Sequence, residues 1–180
     1  GEEFTGFVAW DVDECVGTDV LDGEEHDKSR KIKFSRIAAI ERYSSSGAEV
    51  TLASGEKVVL KGTNDVDNSN RGIAIEDPAL GEVVVEWNEF EKLVFKPAPG
   101  TPRYDDFSGG KILRGTVTTE EGDTYTGDVR WDSDEAYSWE MLNGQSRDVT
   151  FRIELGMIKN ISRNSYRESQ VTLWDGRTFD

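Results

Sequence analysis

An all-β chain built from an internal duplication is the fold class the sequence predicts, and three observations predict it. The first is a recurrence. Displaced by 121 positions, residues 1–59 align with residues 122–180 without a gap, and 20 of the 59 pairs are identical, where unrelated segments of ordinary composition would share roughly four. The second is a period of two in the apolar residues, the spacing of side chains on one face of a strand. The third is the lack of any long helical periodicity, with glycine-bearing turn pairs between the strand-like runs.

The opening stretch carries the alternation most clearly. Phe4, Gly6, Val8 and Trp10 alternate with Thr5, Phe7 and Ala9, and Tyr125, Gly127, Val129 and Trp131 alternate with Thr126, Asp128 and Arg130. This places Trp10 and Trp131 inward, as core anchors. Each run is followed by the same acidic turn, Trp-Asp-x-Asp-Glu, at 10–14 and 131–135. Further along, Leu21, Gly23, Ile32, Ile37, Ile40 and Val50-Thr51-Leu52 recur as Leu142, Gly144, Ile153, Ile158, Ile161 and Val171-Thr172-Leu173. Ser54-Gly55, Glu121-Gly122 and Asp175-Gly176 each sit between two strand-like runs, where a tight hairpin needs a residue that tolerates positive φ.

A shorter pattern recurs three times: Ile32-x-Phe34-x-x-Ile37-x-x-Ile40, Ile153-x-Leu155-x-x-Ile158-x-x-Ile161 and Val85-x-Trp87-x-x-Phe90-x-x-Leu93. Spacing two followed by spacing three predicts a strand, one helical turn and a second strand. The set of hairpin, bent third strand and strand–turn–strand resembles the five-stranded Sm-like or SH3-like small β-barrel, notably in the glycine two or three strand positions past the hairpin turn. That resemblance implies tandem small β-barrel units. The basic RNA-contact residues of Sm proteins have no counterpart here, so it carries fold and not RNA binding.

The expected organisation is a first repeat over 1–96, holding barrel-like units at about 1–45 and 48–96, and a second over 111–180, holding one unit at 111–167 and a closing strand at 169–180. Between them, residues 97–110 contain three of the four prolines and three glycines and read as a linker. The first unit lacks an opening strand and the chain closes on an opening strand without the rest of its unit. Pairing of Val171–Leu173 with the Phe4–Trp10 strand is expected to cover both edges, and the equal alternative is that the sequence is a piece of a longer repeat array.

Composition bounds the function. With 36 acidic against 21 basic side chains the formal charge is -15, which repels phosphate backbones and anionic headgroups, so nucleic acid is excluded as a partner and a membrane surface is disfavoured. Protein or glycan partners remain, as do cations. No apolar run is long enough to span a membrane. A start at Gly1 without Met points to export, periplasmic or secreted, with a cytoplasmic location as the alternative. Cys15 is the single cysteine, so no intrachain disulfide forms, and a buried free thiol is expected.

Among chemical motifs, Asp65, Asp67, Ser69 and Glu76 occupy the first, third, fifth and twelfth places of a calcium-loop spacing, although Asn70 stands where the sharp turn needs Gly. Calcium is the one cofactor this suggests. The acids of the repeated turn read chiefly as turn formers that hydrogen-bond their own backbone. His26 is alone, faces Arg147 in the alignment and reads as a surface residue, which excludes a duplicated Ser-His-Asp site and a multi-histidine metal site. No catalytic residue is assigned. Trp139 and Trp174 align with Thr18 and Ala53, so with Asp132, Asp134 and Glu135 they form the candidate binding surface, with Tyr137 and Tyr166 as further aromatics for a sugar-stacking platform. The expected function is a non-enzymatic binding or structural module. A carbohydrate-active or other hydrolytic domain using the acidic turns is the alternative, and a calcium-dependent adhesion or scaffold domain is the second alternative.

Overall fold

The computed structural model describes residues 2–98, 100 and 110–180, and it is all-β. The helical pieces among these residues are single 3-10 turns. In chain order the strands are β1 (Phe7–Ala9), β2 (Val20–Glu25), β3 (Lys28–Lys33), β4 (Ile37–Ser44), β5 (Gly47–Leu52), β6 (Lys57–Lys61), β7 (Ile73–Asp77), β8 (Gly81–Val85) and β9 (Lys92–Val94). They continue as β10 (Arg114–Thr118), β11 (Thr124–Asp128), β12 (Met141–Ser146), β13 (Val149–Glu154), β14 (Ile158–Arg163), β15 (Ser169–Leu173) and β16 (Thr178–Phe179). The chain divides into two compact units, one of Gly1–Pro78, Glu82–Pro99 and Arg147–Thr150, the other of Ala79–Gly81, Gly100–Ser146 and Phe151–Asp180. Most of the expected linker, 97–110, lies outside the described residues.

In the first unit a six-stranded sheet runs β3-β2-β6-β5-β4-β9, and β1 pairs antiparallel with β7 (Phe7↔Glu76, Val8↔Ile75, Ala9↔Ala74). The spacing-three pattern has two separate causes. Phe34–Arg36 is a 3-10 turn, which brings Phe34 and Ile37 to the same side. Within β4 the register steps from Ile37↔Leu52 to Ala39↔Thr51, so a β-bulge at Ala38 returns Ile37 and Ile40 to one face opposite Leu52 and Val50. Both isoleucines are buried. The same pair of devices recurs 121 residues on, with a 3-10 turn at Leu155–Met157 and a register step between Ile158↔Leu173 and Asn160↔Thr172. The third copy of the pattern differs: residues 87–89 form a plain turn in which the Glu89 and Phe90 amides both donate to the Glu86 carbonyl, before β9 begins.

Gly55, Gly122 and Gly176 take φ of 89°, 93° and 95° at the three expected hairpin turns. The β2–β3 hairpin was not signalled by glycine. Its two turn residues, His26 and Asp27, both sit at positive φ (50° and 60°) between Glu25↔Lys28, a two-residue turn whose twist matches that of the strands. His26 is exposed there, as expected.

Two expectations are corrected. None of the sheets closes into a barrel: β6 meets β2 at one residue pair, Glu24↔Lys61, and β3 and β9 stand as the outer strands of the six-stranded order. Nor does the C-terminal strand pair with the N-terminal one. β15 lies between β14 and β16, because the turn at Asp175-Gly176 folds Thr178–Phe179 straight back onto it, while β1 is taken by β7.

The core of the first unit is aromatic at its centre. Trp10 meets Trp87 and Phe90 edge-on, at centroid distances of 6.2 and 5.3 Å, and is tilted against Phe34 at 6.5 Å, an arrangement that favours ring quadrupoles beyond area burial alone. Leu21, Ile40, Val50 and Leu60 pack the sheet interior. The second unit has a smaller core of Phe151, Ile153, Leu155, Val171 and Leu173, with Phe179 on Phe151 at 4.9 Å.

One close approach is solved in opposite ways in the two units. The Ser35 amide donates to the Gly17 carbonyl at 2.9 Å, and a Cβ on Gly17 would lie 3.1 Å from that of Ser35. At the aligned positions the residues are exchanged: the Gly156 amide donates to Ser138, and a Cβ on Gly156 would lie 2.8 Å from that of Ser138. One partner must be glycine, and either will do. Gly156→Ser is expected to cost about 1–3 kcal/mol by overpacking, and adding Ser138→Gly should recover most of it. Chemical denaturation of the two single variants and the double variant measures this as a coupling energy, and additive losses would remove the explanation.

Candidate functional site

Among the described residues, a densely bonded polar site lies in the first unit, at the acidic turn after β1. Residues 10–14 close on themselves: the Trp10 amide donates to the Glu14 carbonyl and the Glu14 amide to the Trp10 carbonyl, both at 2.9 Å. The reversal is made by Asp11 and Val12 in the left-handed region, at φ 48° and 60°. Aspartate tolerates that conformation, whereas a β-branched valine there is strained. The amide of Val12 is held by the Gly72 carbonyl at 3.1 Å. This hook turns the Asp11 side chain inward, to 1% exposure.

A buried carboxylate has to be compensated, and Asp11 is. Its Oδ2 accepts from Arg71 Nε (3.1 Å), Arg71 Nη2 (2.8 Å) and Asn64 Nδ2 (2.7 Å), and its Oδ1 accepts from the Arg71 amide at 2.5 Å. Arg71 Nη2 also reaches Asp13 Oδ1 at 2.6 Å. The segment that supplies these donors is tied down in turn. The Trp10 indole donates to the Asp65 carbonyl at 2.8 Å, Asp65 Oδ2 accepts from the Asp22 amide at 2.6 Å, and Asn70 Oδ1 accepts from the Gly72 amide at 2.9 Å.

Charge divides unevenly among the acids. Hydrogen bonding from Arg71 holds Asp13 below the usual carboxylate range. Burial, then the charges of Asp13, Asp65 and Asp11, push Glu14 up from 4.5 to about 7, and its Oε2 is buried with no hydrogen-bond partner. Burial raises Asp65 as well, opposed by its bond to the Asp22 amide. Carboxylate oxygens of Asp11, Asp13 and Glu14 lie within 4.8 Å of one another, a spacing that would suit a hard cation. Arg71 already supplies the positive charge at that place.

The calcium-loop residues are not gathered. Asp65 faces inward to the Asp22 amide, Asp67 folds back on the Ser69 amide at 2.7 Å, and Glu76 is an exposed residue of β7. Of the described residues, the acids that come within metal-binding reach are those of the first hook. Sequence reasoning placed those acids in a turn and missed Arg71, which is 60 residues away from Asp11.

The second hook has the same backbone. Trp131 and Glu135 exchange amide–carbonyl bonds of 2.8 and 3.0 Å, and Asp132 and Ser133 take φ of 43° and 74°. The side chains behave differently, and the expectation for Trp131 is corrected: it is 38% exposed, against 1% for Trp10. The groups that cover Trp10 come from Asp65, Trp87 and Phe90. Asp132 and Asp134 are exposed, while Glu135 is half-buried and its carboxyl is shifted upward by desolvation. Trp139 and Trp174 are exposed, with Trp139 stacked on Tyr137 at 6.3 Å and Tyr166 exposed beneath Arg163. Cys15 is also corrected, from buried to exposed. It follows the hook where the chain leaves the core, and its amide and that of Val16 are capped by Asp19 Oδ2. Glu140 Oε2 caps the Ala136 and Tyr137 amides in the same way.

The upward shift of Glu14 has a definite sign. Because its folded value exceeds its unfolded one, the folded state favours the protonated carboxyl. That contribution is complete below about pH 4.5 and is lost as pH rises to about 7. The melting temperature should therefore fall between pH 5 and 8, and Glu14→Gln should reduce the slope over that window. An unchanged slope in the variant would remove Glu14 as the cause.

Comparison with protein-family models, with curated proteins and with solved structures returns no match.

Proposed function

We propose that the chain is a non-enzymatic binding or structural module of an exported protein, arisen by duplication of a 121-residue unit, in which the Trp-Asp-x-Asp-Glu hook is a clasp for an arginine-bearing segment. The observation that carries the reading is Asp11: a carboxylate only 1% exposed, with donors on both oxygens, three of the four from Arg71. Such a constellation holds chain segments together, since both carboxylate oxygens of the aspartate are already engaged. The repeated local geometry supports the duplication: bulge, 3-10 turn, hook and turn cap all recur at the same displacement.

A hydrolytic reading draws on Glu14, whose carboxyl is pushed up to about 7 beside an ionised Asp13, the pairing that acid–base catalysis uses. A general acid must touch the atom it protonates, and Glu14 Oε2 is shut away from solvent. A calcium-dependent reading requires the cation to displace Arg71 from Asp11 and Asp13. The clasp is the more economical account of the same groups.

Asp11→Ala leaves Asn64 Nδ2 and the Arg71 amide without their acceptor and should cost about 2–4 kcal/mol. The aligned Asp132→Ala, on an exposed side chain, should stay within about 0.5 kcal/mol. Urea denaturation of the two variants tests the reading, and equal losses would overturn it. Millimolar calcium should leave the melting temperature of the unsubstituted chain unchanged, and a rise would favour the cation site.

A further inference from the structure

The two hooks differ in their surroundings, yet they treat their last residue alike. In each, the glutamate that closes the turn, Glu14 or Glu135, uses both of its backbone groups to do so: its amide donates to the tryptophan carbonyl and its carbonyl accepts from the tryptophan amide. In each, Oε2 of that glutamate is buried with no hydrogen-bond partner, and desolvation raises its carboxyl. The preceding aspartate, Asp13 or Asp134, raises it further by its charge and by hydrogen bonding to it. Asp13, lowered first by Arg71, is lowered again by that bond. Two carboxyls so placed hold one proton between them more readily than two negative charges. The 64–72 segment is not required for this, since Glu135 behaves so on a hook whose Asp132 and Asp134 are exposed. The other charges facing Glu14 are Asp11 on the hook, Asp65 on the Asn64–Val66 turn, and Arg71 held by Asp11 and Asp13. Asp132 is the other charge facing Glu135.

From this we infer that the Trp-Asp-x-Asp-Glu hook is a proton-closed latch: the turn holds shut with a proton on the carboxyl of its glutamate, and loss of that proton opens it. One residue carries both the titrating group and the two closing bonds, so an ionised, hydrated side chain is in conflict with a closed turn. Opening returns the carboxyl to water and to its ordinary value. A proton is therefore a ligand with higher affinity for the closed state, and its withdrawal shifts the population toward the open one. In the first unit the latch bears on the clasp. The Val12 bond to Gly72, and Asp11 with its donors from Arg71 and Asn64, all stand on the reversal at Asp11 and Val12, so opening the hook releases the 64–72 segment. That consequence rests on the clasp reading above. The proton step does not, because the second hook carries it without Arg71. Mild acid tightens the latch and neutral pH loosens it, the reverse of an ordinary carboxylate ion pair such as Arg71–Asp13, which is lost only when acid protonates Asp13.

Backbone hydrogen exchange of the intact chain, followed by NMR between about pH 4 and 8 and divided by the intrinsic rate at each pH, reads the opening directly. The amides of Trp10, Val12, Glu14 and Arg71 report the first hook and its clasp, and those of Trp131 and Glu135 report the second. Protection in the first hook should fall between pH 4.5 and about 7, by at most about tenfold per pH unit and about two orders of magnitude in all, and then level off. The second hook should fall in the same direction. Glu14→Gln, neutral and of the same shape, should flatten the first profile and leave the second sloping, and Glu135→Gln should do the reverse. Profiles flat with pH in the unsubstituted chain, or slopes indifferent to the two substitutions, overturn the latch. A parallel loss of protection throughout the β4–β5 ladder also overturns it, since that is unfolding of the unit and not opening of a turn. Hook amides that respond while the Arg71 amide does not overturn the release of the 64–72 segment. The clasp reading fails on a different measurement, the urea comparison of Asp11→Ala with Asp132→Ala, and the outcome of Glu135→Gln is independent of it.

Discussion

The first unit is organised by the need to compensate one buried negative charge. Asp11 sits at 1% exposure because two consecutive left-handed residues reverse the chain under Trp10. Leaving a carboxylate there unpaired would be expensive enough to reject the conformation. Arg71 removes that objection, and in doing so it fixes where the 64–72 segment lies. That segment places the Asp65 carbonyl on the Trp10 indole and leads straight into β7, which pairs with β1. The aromatic cluster of Trp10, Trp87, Phe90 and Phe34 is thus assembled around a residue whose position is set by an ion pair. Asp11 is buried while the Arg71 side chain is half-exposed, and the role the geometry gives the pair is to fix register.

The strands, the three glycine hairpins and the strand–turn–strand pattern were legible in the sequence because each depends on neighbours within a few positions. Spacing-three isoleucines announced that something interrupts a plain strand at 32–40. They could not announce that the interruption is a 3-10 turn followed by a bulge, since both restore the same face. The hairpin at His26-Asp27 escaped because its left-handed residues are not glycine or asparagine. Asp11 with Arg71 was invisible for a different reason. The pair is separated by 60 residues, and an aspartate after a strand is ordinarily a turn residue bonding its own backbone. Sheet closure was misjudged on the same ground, since whether β2 meets β6 along its length or at one residue pair is decided by tertiary packing.

Comparing the two hooks separates what a motif determines from what its surroundings determine. Backbone bonds, left-handed φ values and the acidic caps of the following turn are reproduced 121 residues apart. Burial is not reproduced: Trp10 is enclosed and Trp131 is 38% exposed. The alternation of apolar residues shows which side chains share a face of a strand. It cannot show whether anything covers that face. The exchanged glycine and serine at 17/35 and 138/156 make the complementary point, because there the constraint is a distance between two backbones and either chain can satisfy it.

The raised carboxyl of Glu14 follows from the same economy of charge. Three acids and Asp65 crowd one turn, and one guanidinium serves Asp11 and Asp13. Glu14 is the acid left over, and it has no donor for its inner oxygen. A proton is then the cheapest counter-charge available, which is why its titration moves to about 7 while Asp13 moves the other way. A divalent cation would have to be stripped of water and would displace Arg71 from both of its partners. Arginine suits the place better than a metal does, because its planar fork meets one carboxylate with two donors and still reaches a second. The acidity of the hook is matched by a chain-borne cation, Arg71, whose bonds to Asp11 and Asp13 join the 64–72 segment to the turn after β1.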